Sequence, residues 1–446
     1  MLGIQNDGMM ASLNGASRQA RADRRVLFVN RYYAPDQSAT SQMLTDLASG
    51  LASRGVDVHV VTSRQLYDDA AAQLAAREAI CGVEVHRVAT TRFGRARLIG
   101  RAIDYASFYW NCAVALLKLT RHGDIIVAKT DPPLLSILAA PVTRMRSAVL
   151  VNWEQDIFPE VACELGLSPF PRWLERPLTR LRDASLRSAG MNVVIGNRMR
   201  EYLAERGIPH SKLRVIENWS DAVQPKPTAA SDLRAQLGLE DRFVVCYSGN
   251  LGRAHEFETL LAAARTLKGS SAFTFLIIGN GAKMESLKRA AAAAALDSFI
   301  FLPYQPREKL ADSLAAADVH IASLLPALEG LIVPSKLYGI LAAGRPVVFI
   351  GDEQGEIGEV IARARCGSAV RVGDSGALVD VLCRLQADPD TRARMGERAR
   401  RIFCEEFSFD RALDRWTEVI DGLTRDPEAP SRVCDNMMTF NAPEGL

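Results

Sequence analysis

The chain has 446 residues, of which 48% are apolar and 24% charged, and its 54 basic and 52 acidic residues leave a net charge of +2. That length exceeds one ordinary hydrophobic core and asks for two domains, while so small a net charge gives no reason to expect a nucleic-acid partner. The eight cysteines (81, 112, 163, 246, 366, 383, 404 and 434) stand singly, with no CxxC pair and no histidine at metal-ligand spacing; this argues against a disulfide framework or zinc module and fits a reducing compartment.

Residues 1–24 contain no apolar core of the signal-peptide kind and are rich in Gly, Asn, Ser and Arg, so they read as a disordered leader and the chain as cytoplasmic. Short β-branched runs then alternate with amphipathic helices. VLFVN (26–30), SQMLTDLASGLASRG and VDVHVVT (56–62) form a βαβ unit, with Met43, Leu44, Leu47, Ala48, Leu51 and Ala52 as one apolar helix stripe. Strands are expected at EVHRVA, DIIVAKT, AVLVNWE, MNVVIGN and LRVIEN, giving a first doubly wound domain over 25–220. No stretch offers the roughly 18 uninterrupted apolar residues of a membrane span. IDYASFYWNCAVALLKLTR (103–121) reads either as a packed core helix or as a helix lying on a membrane surface, with Arg95, Arg97, Arg101, Lys118 and Arg121 near its ends.

A polar, proline-bearing linker over 221–235 is followed by a second alternating series, FVVCYSGN, FTFLIIGNG, FIFLPY, VHIAS and VVFIGD, which sets a second domain of the same kind at 236–402. FSFDRALDRWTEVIDGL lies in a final amphipathic segment, 403–425, and 426–446 reads as a loose tail. The fold class is therefore α/β, two Rossmann-like domains whose strand ends face across a cleft.

The glycine pattern does not suit a dinucleotide: the first strand is followed by RYYAPDQSAT, and YSGNLGRAH gives only G-x-x-G. No GxxxxGK[ST] is present either. More informative is ALEGLIVPSKLYGILAAGRPVVFIGD (327–352). Pro334 or Ser335 can start a helix, Gly344 can end it and Pro346 forbids its continuation. Free backbone N–H groups there, with Lys336 in the first turn, suit a diphosphate. Glu329 and Gly330 put a carboxylate and an approachable backbone beside whatever the diphosphate carries, and a carboxylate accepts hydrogen bonds from sugar hydroxyls. A capped structural helix with a solvated glutamate would give the same letters.

Taken in order, YSGNLG, FLIIGNG, FLPYQPREKLADSLAAADVHIASL and EGLIVPSKLYGILAAGRPVV, together with DIFPE (156–160) and NWSD (218–221), resemble the retaining GT-B glycosyltransferases of family 4 that build bacterial polysaccharides. The resemblance spans roughly 25–425. It implies a nucleotide-diphosphate sugar on the second domain, an acceptor saccharide that could be lipid-linked on the first, retention of configuration, and a last helix that crosses back to the first domain. Carried onto this chain, it implies catalytic roles for Asp156, Arg253 and Glu329. Donor contacts are implied for Gly249, Asn250, Gly279, Gly330, Leu331, Ser335 and Lys336, and a phosphate or acceptor loop at Ser38, Ala39 and Thr40. Arg253 is preferred to His255 for the phosphate because its fork and fixed charge suit oxygens; Ser38 or Thr40 could equally be plain helix caps.

Two departures bear on this. The family's second glutamate falls on Leu337 or Gly339, neither acidic, which leaves Glu356 as a replacement or as a surface glutamate. Asn250 stands where the family carries a basic residue. A non-catalytic partner subunit and a nucleotide-sugar epimerase are therefore the rival readings. Asp388-Pro389-Asp390 reads as a helix cap, so no required metal is expected, and the chain is placed in the cytoplasm, at the inner face of the membrane if it touches one.

Overall fold

The computed structural model describes residues 25–69, 71–93, 98–167, 171–220 and 224–425. The expected leader and tail, Arg95 and Arg97, and linker residues 221–223 lie outside these.

Eight strands form the first sheet: β1 (Arg25–Val29), β2 (Asp57–Ser63), β3 (Arg77–Ile80), β4 (Val83–Val88), β5 (Ile125–Lys129), β6 (Val149–Glu154), β7 (Met191–Val194) and β8 (Leu213–Val215). Their order is β3-β4-β2-β1-β5-β6-β7-β8, parallel except for β3, which runs antiparallel at the edge. Six parallel strands form the second: β9 (Phe243–Ser248), β10 (Phe273–Ile278), β11 (Phe299–Leu302), β12 (Val319–Ser323), β13 (Val347–Ile350) and β14 (Gly367–Val370), ordered β11-β10-β9-β12-β13-β14. Two strands, β3 and β14, escape the sequence reading. Both are short edge segments, REAI and GSAV, without the apolar run that a central parallel strand needs.

The pleat sorts alternate residues of β1 to opposite faces. Val26 and Phe28 pack with Leu44, Leu47 and Leu51 of helix Ala39–Ser53, while Leu27 and Val29 pack with Phe108, Cys112 and Leu116 of helix Leu98–Leu119. The first of these cores is completed by the last helix, Phe409–Arg425, which lies against the first sheet although it follows the second. Its Trp416 is wholly buried, edge-on to Trp153 at 5.0 Å between centroids. Arg54 donates to Thr417 Oγ1 (2.9 Å), and Arg415 pairs with Glu217.

A shared apolar cluster also crosses between the domains. Ile157, Val194 and Met199 of the first pack with Leu328, Leu331 and Ile357 of the second, and the Ile157 N–H donates to the Leu331 carbonyl (2.9 Å). Gly330, at φ 74°, fits here because a side chain would press on the Arg198 carbonyl across the junction.

Candidate active site

The carboxyl ends of both sheets meet at this junction, where an isolated bridge joins Asp156 to Ile332. On the first domain, β5 ends in Lys129 and β6 in Glu154. Lys129 is 1% exposed, yet its ammonium donates to the Thr40 carbonyl (2.8 Å) and lies 4.3 Å from the Trp153 ring centroid. Burial pulls it down to about 7, against the upward pull of Asp131 and Asp156. Glu154, 4% exposed, is pushed up to about 7 by burial, which outweighs the nearby Arg182 charge. Both line a small cavity with Thr130, Ser136 and Asp156.

The Asp156 side chain is exposed to the cleft but crowded at its base. That crowding, then Asp131, moves its carboxyl up toward about 6 while Lys129 opposes; solvent on the open side limits the rise. The rest of the DIFPE element turns away from the cleft. Glu160 accepts two hydrogen bonds from Arg182 (3.1 and 2.8 Å) and one from the Tyr202 hydroxyl (3.1 Å), so it serves a buried ion network.

Ser38 takes the capping position of helix Ala39–Ser53 without a side-chain cap bond; its N–H (2.8 Å) and hydroxyl both reach Asp36 Oδ1. The Thr40 hydroxyl donates to Asp131 Oδ2 (3.0 Å). Neither serves as the plain side-chain cap, because neighbouring carboxylates compete successfully for both hydroxyls. Ala39 is exposed at the start of the helix.

On the second domain, Gly249 and Asn250 follow β9 and Gly279 follows β10. Gly279, at φ 134°, allows the two strand ends to close, since a Cβ would collide with the Gly249 carbonyl. A side chain at Gly249 would in turn strike Cε of Lys336 at 2.9 Å, so that lysine lies directly over bare backbone.

Lys336 Nζ is 3.0 Å from Nε2 of His255, whose Nδ1 is 2.6 Å from the Ser323 carbonyl. A carbonyl only accepts, so Nδ1 carries the proton and Nε2 presents its lone pair to the ammonium. Burial and then Lys336 hold His255 down to about 4, so it is neutral near pH 7, and burial lowers Lys336 to about 8. Arg253, preferred from sequence, is exposed on the same loop, and it is His255 that touches the lysine. The loop leaves Arg253 at the surface and turns His255, with Glu256 and Phe257 after it, into the buried side.

Glu329 is half-buried. Its Oε2 accepts the Glu356 N–H (3.2 Å) at the start of helix Glu356–Ala364, while Oε1 is buried without a partner. Burial, then the Asp352 and Glu356 charges, raise it to about 7 despite that hydrogen bond. Glu356, the candidate replacement for the missing acid, points elsewhere: its Oε2 accepts the Arg198 N–H (2.8 Å) across the domain junction. Leu331 is buried and gives its carbonyl to Ile157, so its contribution is to the junction. The helix after Pro334 is shorter than expected, Lys336–Ala342, with exposed Ser335 before it.

Asp388 caps helix Pro389–Ile402 through Thr391 N (2.8 Å) and Oγ1 (2.6 Å). Among the described residues no three His, Cys, Asp or Glu side chains gather in a metal-binding group. The sequence reading passed over Lys129; its signal was a lone charge closing the apolar strand IIVAK at a carboxyl end.

Two family descriptions match the chain: "Glycosyl transferase 4-like domain" over residues 38–219 and "Glycosyl transferases group 1" over 230–402. The probable glycosyltransferase WbjE of Pseudomonas aeruginosa is 30% identical over 305 residues, covering 66% of this chain and 74% of that protein. The putative colanic acid biosynthesis glycosyl transferase WcaI of Escherichia coli (strain K12) is 25% identical, covering 75% and 85%. In fold, the chain is similar to Anabaena HepE, solved in complex with UDP-glucose, with a TM-score of 0.66, 17% identity, and 90% and 100% of the two chains covered.

Proposed function

The chain belongs to the glycosyltransferases, with a 4-like first domain and a group 1 second domain in GT-B architecture, and from that premise we propose that it moves a hexosyl or N-acetylhexosaminyl group from a nucleotide-diphosphate donor to a saccharide hydroxyl. The observation that carries this reading is Lys336, suspended over the bare backbone of Gly249, together with the unpartnered Oε1 of Glu329 in the loop that leads into its helix. A diphosphate over Gly249 would meet a preorganised ammonium where leaving-group charge develops. A donor hydroxyl would satisfy the orphaned carboxylate oxygen, whose isolation is otherwise a cost.

Neutral His255 favours this arrangement: it holds Lys336 from one side without adding a competing anion. Across the junction, Asp156 is placed to orient or deprotonate the acceptor hydroxyl, and a carboxyl raised toward neutrality is the better base for that task. Family 4 retention of configuration and charge stabilisation by Lys336 and Arg253 without a required metal are parts of the same proposal. The name of the colanic acid biosynthesis relative supports a role in bacterial polysaccharide biosynthesis, and a lipid-linked saccharide is the acceptor class of this proposal.

The test is a thermal-shift panel of UDP, GDP, ADP and TDP, each with Mg²⁺ and with EDTA, since a ligand that binds only the native state raises its apparent stability. One nucleotide shifting the melt equally in both conditions supports the proposal and names the base. A second reading, a non-catalytic partner subunit, is favoured by one observation: Glu356 is committed to Arg198, so it does not replace the acid missing at Leu337 and Gly339. No shift with any nucleotide would select that reading.

A further inference from the structure

We propose that the three-helix layer on the outer face of the first sheet, Leu98–Leu119, Leu135–Arg146 and Arg172–Ser188, is a docking face for an anionic phospholipid surface. The three helices form one continuous layer. Arg146 donates to the Leu117 carbonyl, and the Ser185 hydroxyl to Ser136 Oγ (2.8 Å), tying each helix to the next. Their inner sides are ordinary core, with Phe108, Cys112 and Leu116 on one helix and Leu135 and Ala139 on the next.

The outer sides are unusual. Single exposed apolar residues are normal on any protein, but of ten large ones among the described residues, five stand on this layer: Ile103, Trp110, Met145, Trp173 and Leu181. Trp110, Met145 and Trp173 are each 72% exposed. On helix Leu98–Leu119 the spacing of Ile103, Ala106, Trp110 and Leu117 continues the exposed or half-buried side as an apolar stripe.

Charge on the layer has one sign. Arg176 and Arg180 are exposed between Trp173 and Leu181 and Arg187 beyond them on the same helix, with Arg144 and Lys118 on the adjoining helices, and none makes an ion pair among the described residues. Some arginines elsewhere do find acids, as Arg198 finds Glu359 and Arg371 finds Glu353. The acids of these helices turn inward: Asp104 is 2% exposed, and Asp183 pairs with Arg182 and Arg206. Glu175 is half-buried.

An outward face of tryptophans, methionine and leucine interleaved with unpaired arginines matches a bilayer with anionic headgroups: rings enter the interface, aliphatic stems follow and guanidinium groups meet phosphate. A nucleic acid would use the cations but leave the apolar half uncovered. No described helix is long and apolar enough to cross a membrane, so the contact is peripheral. The inference does not rest on the transferase reading, and the two can fail separately.

The test is sedimentation of the full chain with vesicles of phosphatidylcholine alone or mixed with phosphatidylglycerol. Binding to the mixed vesicles is expected. Since each basic residue near an anionic surface contributes about a fivefold gain in affinity, R176E/R180E/R187E should lower binding by more than about a hundredfold, and W110S/W173S by about tenfold or more. Brominated lipid should quench wild-type tryptophan emission but not that of W110F/W173F, because Trp153, Trp219 and Trp416 are buried. An unchanged melting temperature in each variant certifies its fold. Absence of wild-type binding to the mixed vesicles, or binding and quenching indifferent to these substitutions, would overturn the proposal.

Discussion

The two sheet edges that meet at the cleft are built in opposite ways. The first domain's edge buries full charges, Lys129 and Glu154, beneath the exposed Asp156; burial brings the first two toward neutrality, and crowding at its base does the same for Asp156. The second domain's edge is glycine backbone at Gly249 and Gly279, crossed by one ammonium resting on a neutral imidazole. Desolvation makes proton affinity adjustable on the first edge, where a hydroxyl would be activated. Bare backbone allows close approach on the second, where a diphosphate would sit. In the proposed reaction, proton management and phosphate holding are thus assigned to different domains.

Substitutions can break that division. The largest effect is expected for Asp156→Asn, which should lower kcat by about 10²–10⁴ while leaving the nucleotide-induced melting shift intact. Equal loss of nucleotide binding would erase the distinction between the edges. Lys336→Ala should do the reverse: removing a charged hydrogen bond of about 1.5–3 kcal/mol should weaken nucleotide affinity by roughly 10- to 100-fold, measured by titration calorimetry, with the acceptor KM unchanged.

The pH profile sharpens the comparison further. In the proposed reaction Asp156 acts as a carboxylate, and its carboxyl is raised toward about 6, so activity should be full above that value and fall as pH drops through it, by up to about tenfold per unit. The acid limb should be missing from the residual activity of Asp156→Asn. A limb near the ordinary carboxylate value of about 4 would instead show that crowding does not tune this group. The smallest effect is expected at the junction. Glu356→Ala removes the acceptor for the Arg198 N–H and should cost about 0.5–2 kcal/mol, as for a lost helix cap, read by denaturant unfolding. A stability loss without a change in nucleotide affinity would confirm Glu356 as a fastener between domains, and loss of nucleotide affinity would restore it to the donor site.

Much of the second edge was legible in sequence. EGLIVPSK and GRP punctuate the chain with residues whose backbone rules are local, so the Glu329 loop, the Lys336 helix start and the stop before β13 could be placed directly. The same rules do not say which side of a loop faces inward, so only the structure puts His255, and not Arg253, against Lys336. On the first edge, Asp156 stood out by position, but Glu160 of the same element was absorbed by Arg182 and Tyr202, residues 22 and 42 positions away.

By itself, the sequence determined the alternation of strand and helix, the two-domain division and the loops that carry the candidate site, because apolar periodicity and Gly/Pro punctuation act over a few residues. Tertiary structure alone decided the partners: Trp416 against Trp153, Glu356 on Arg198, Lys336 on His255, and a face of unpaired basic side chains assembled from three separate helices. Those pairings join residues tens to hundreds of positions apart, and burial, charge and proton affinity are properties of the company a side chain keeps in space.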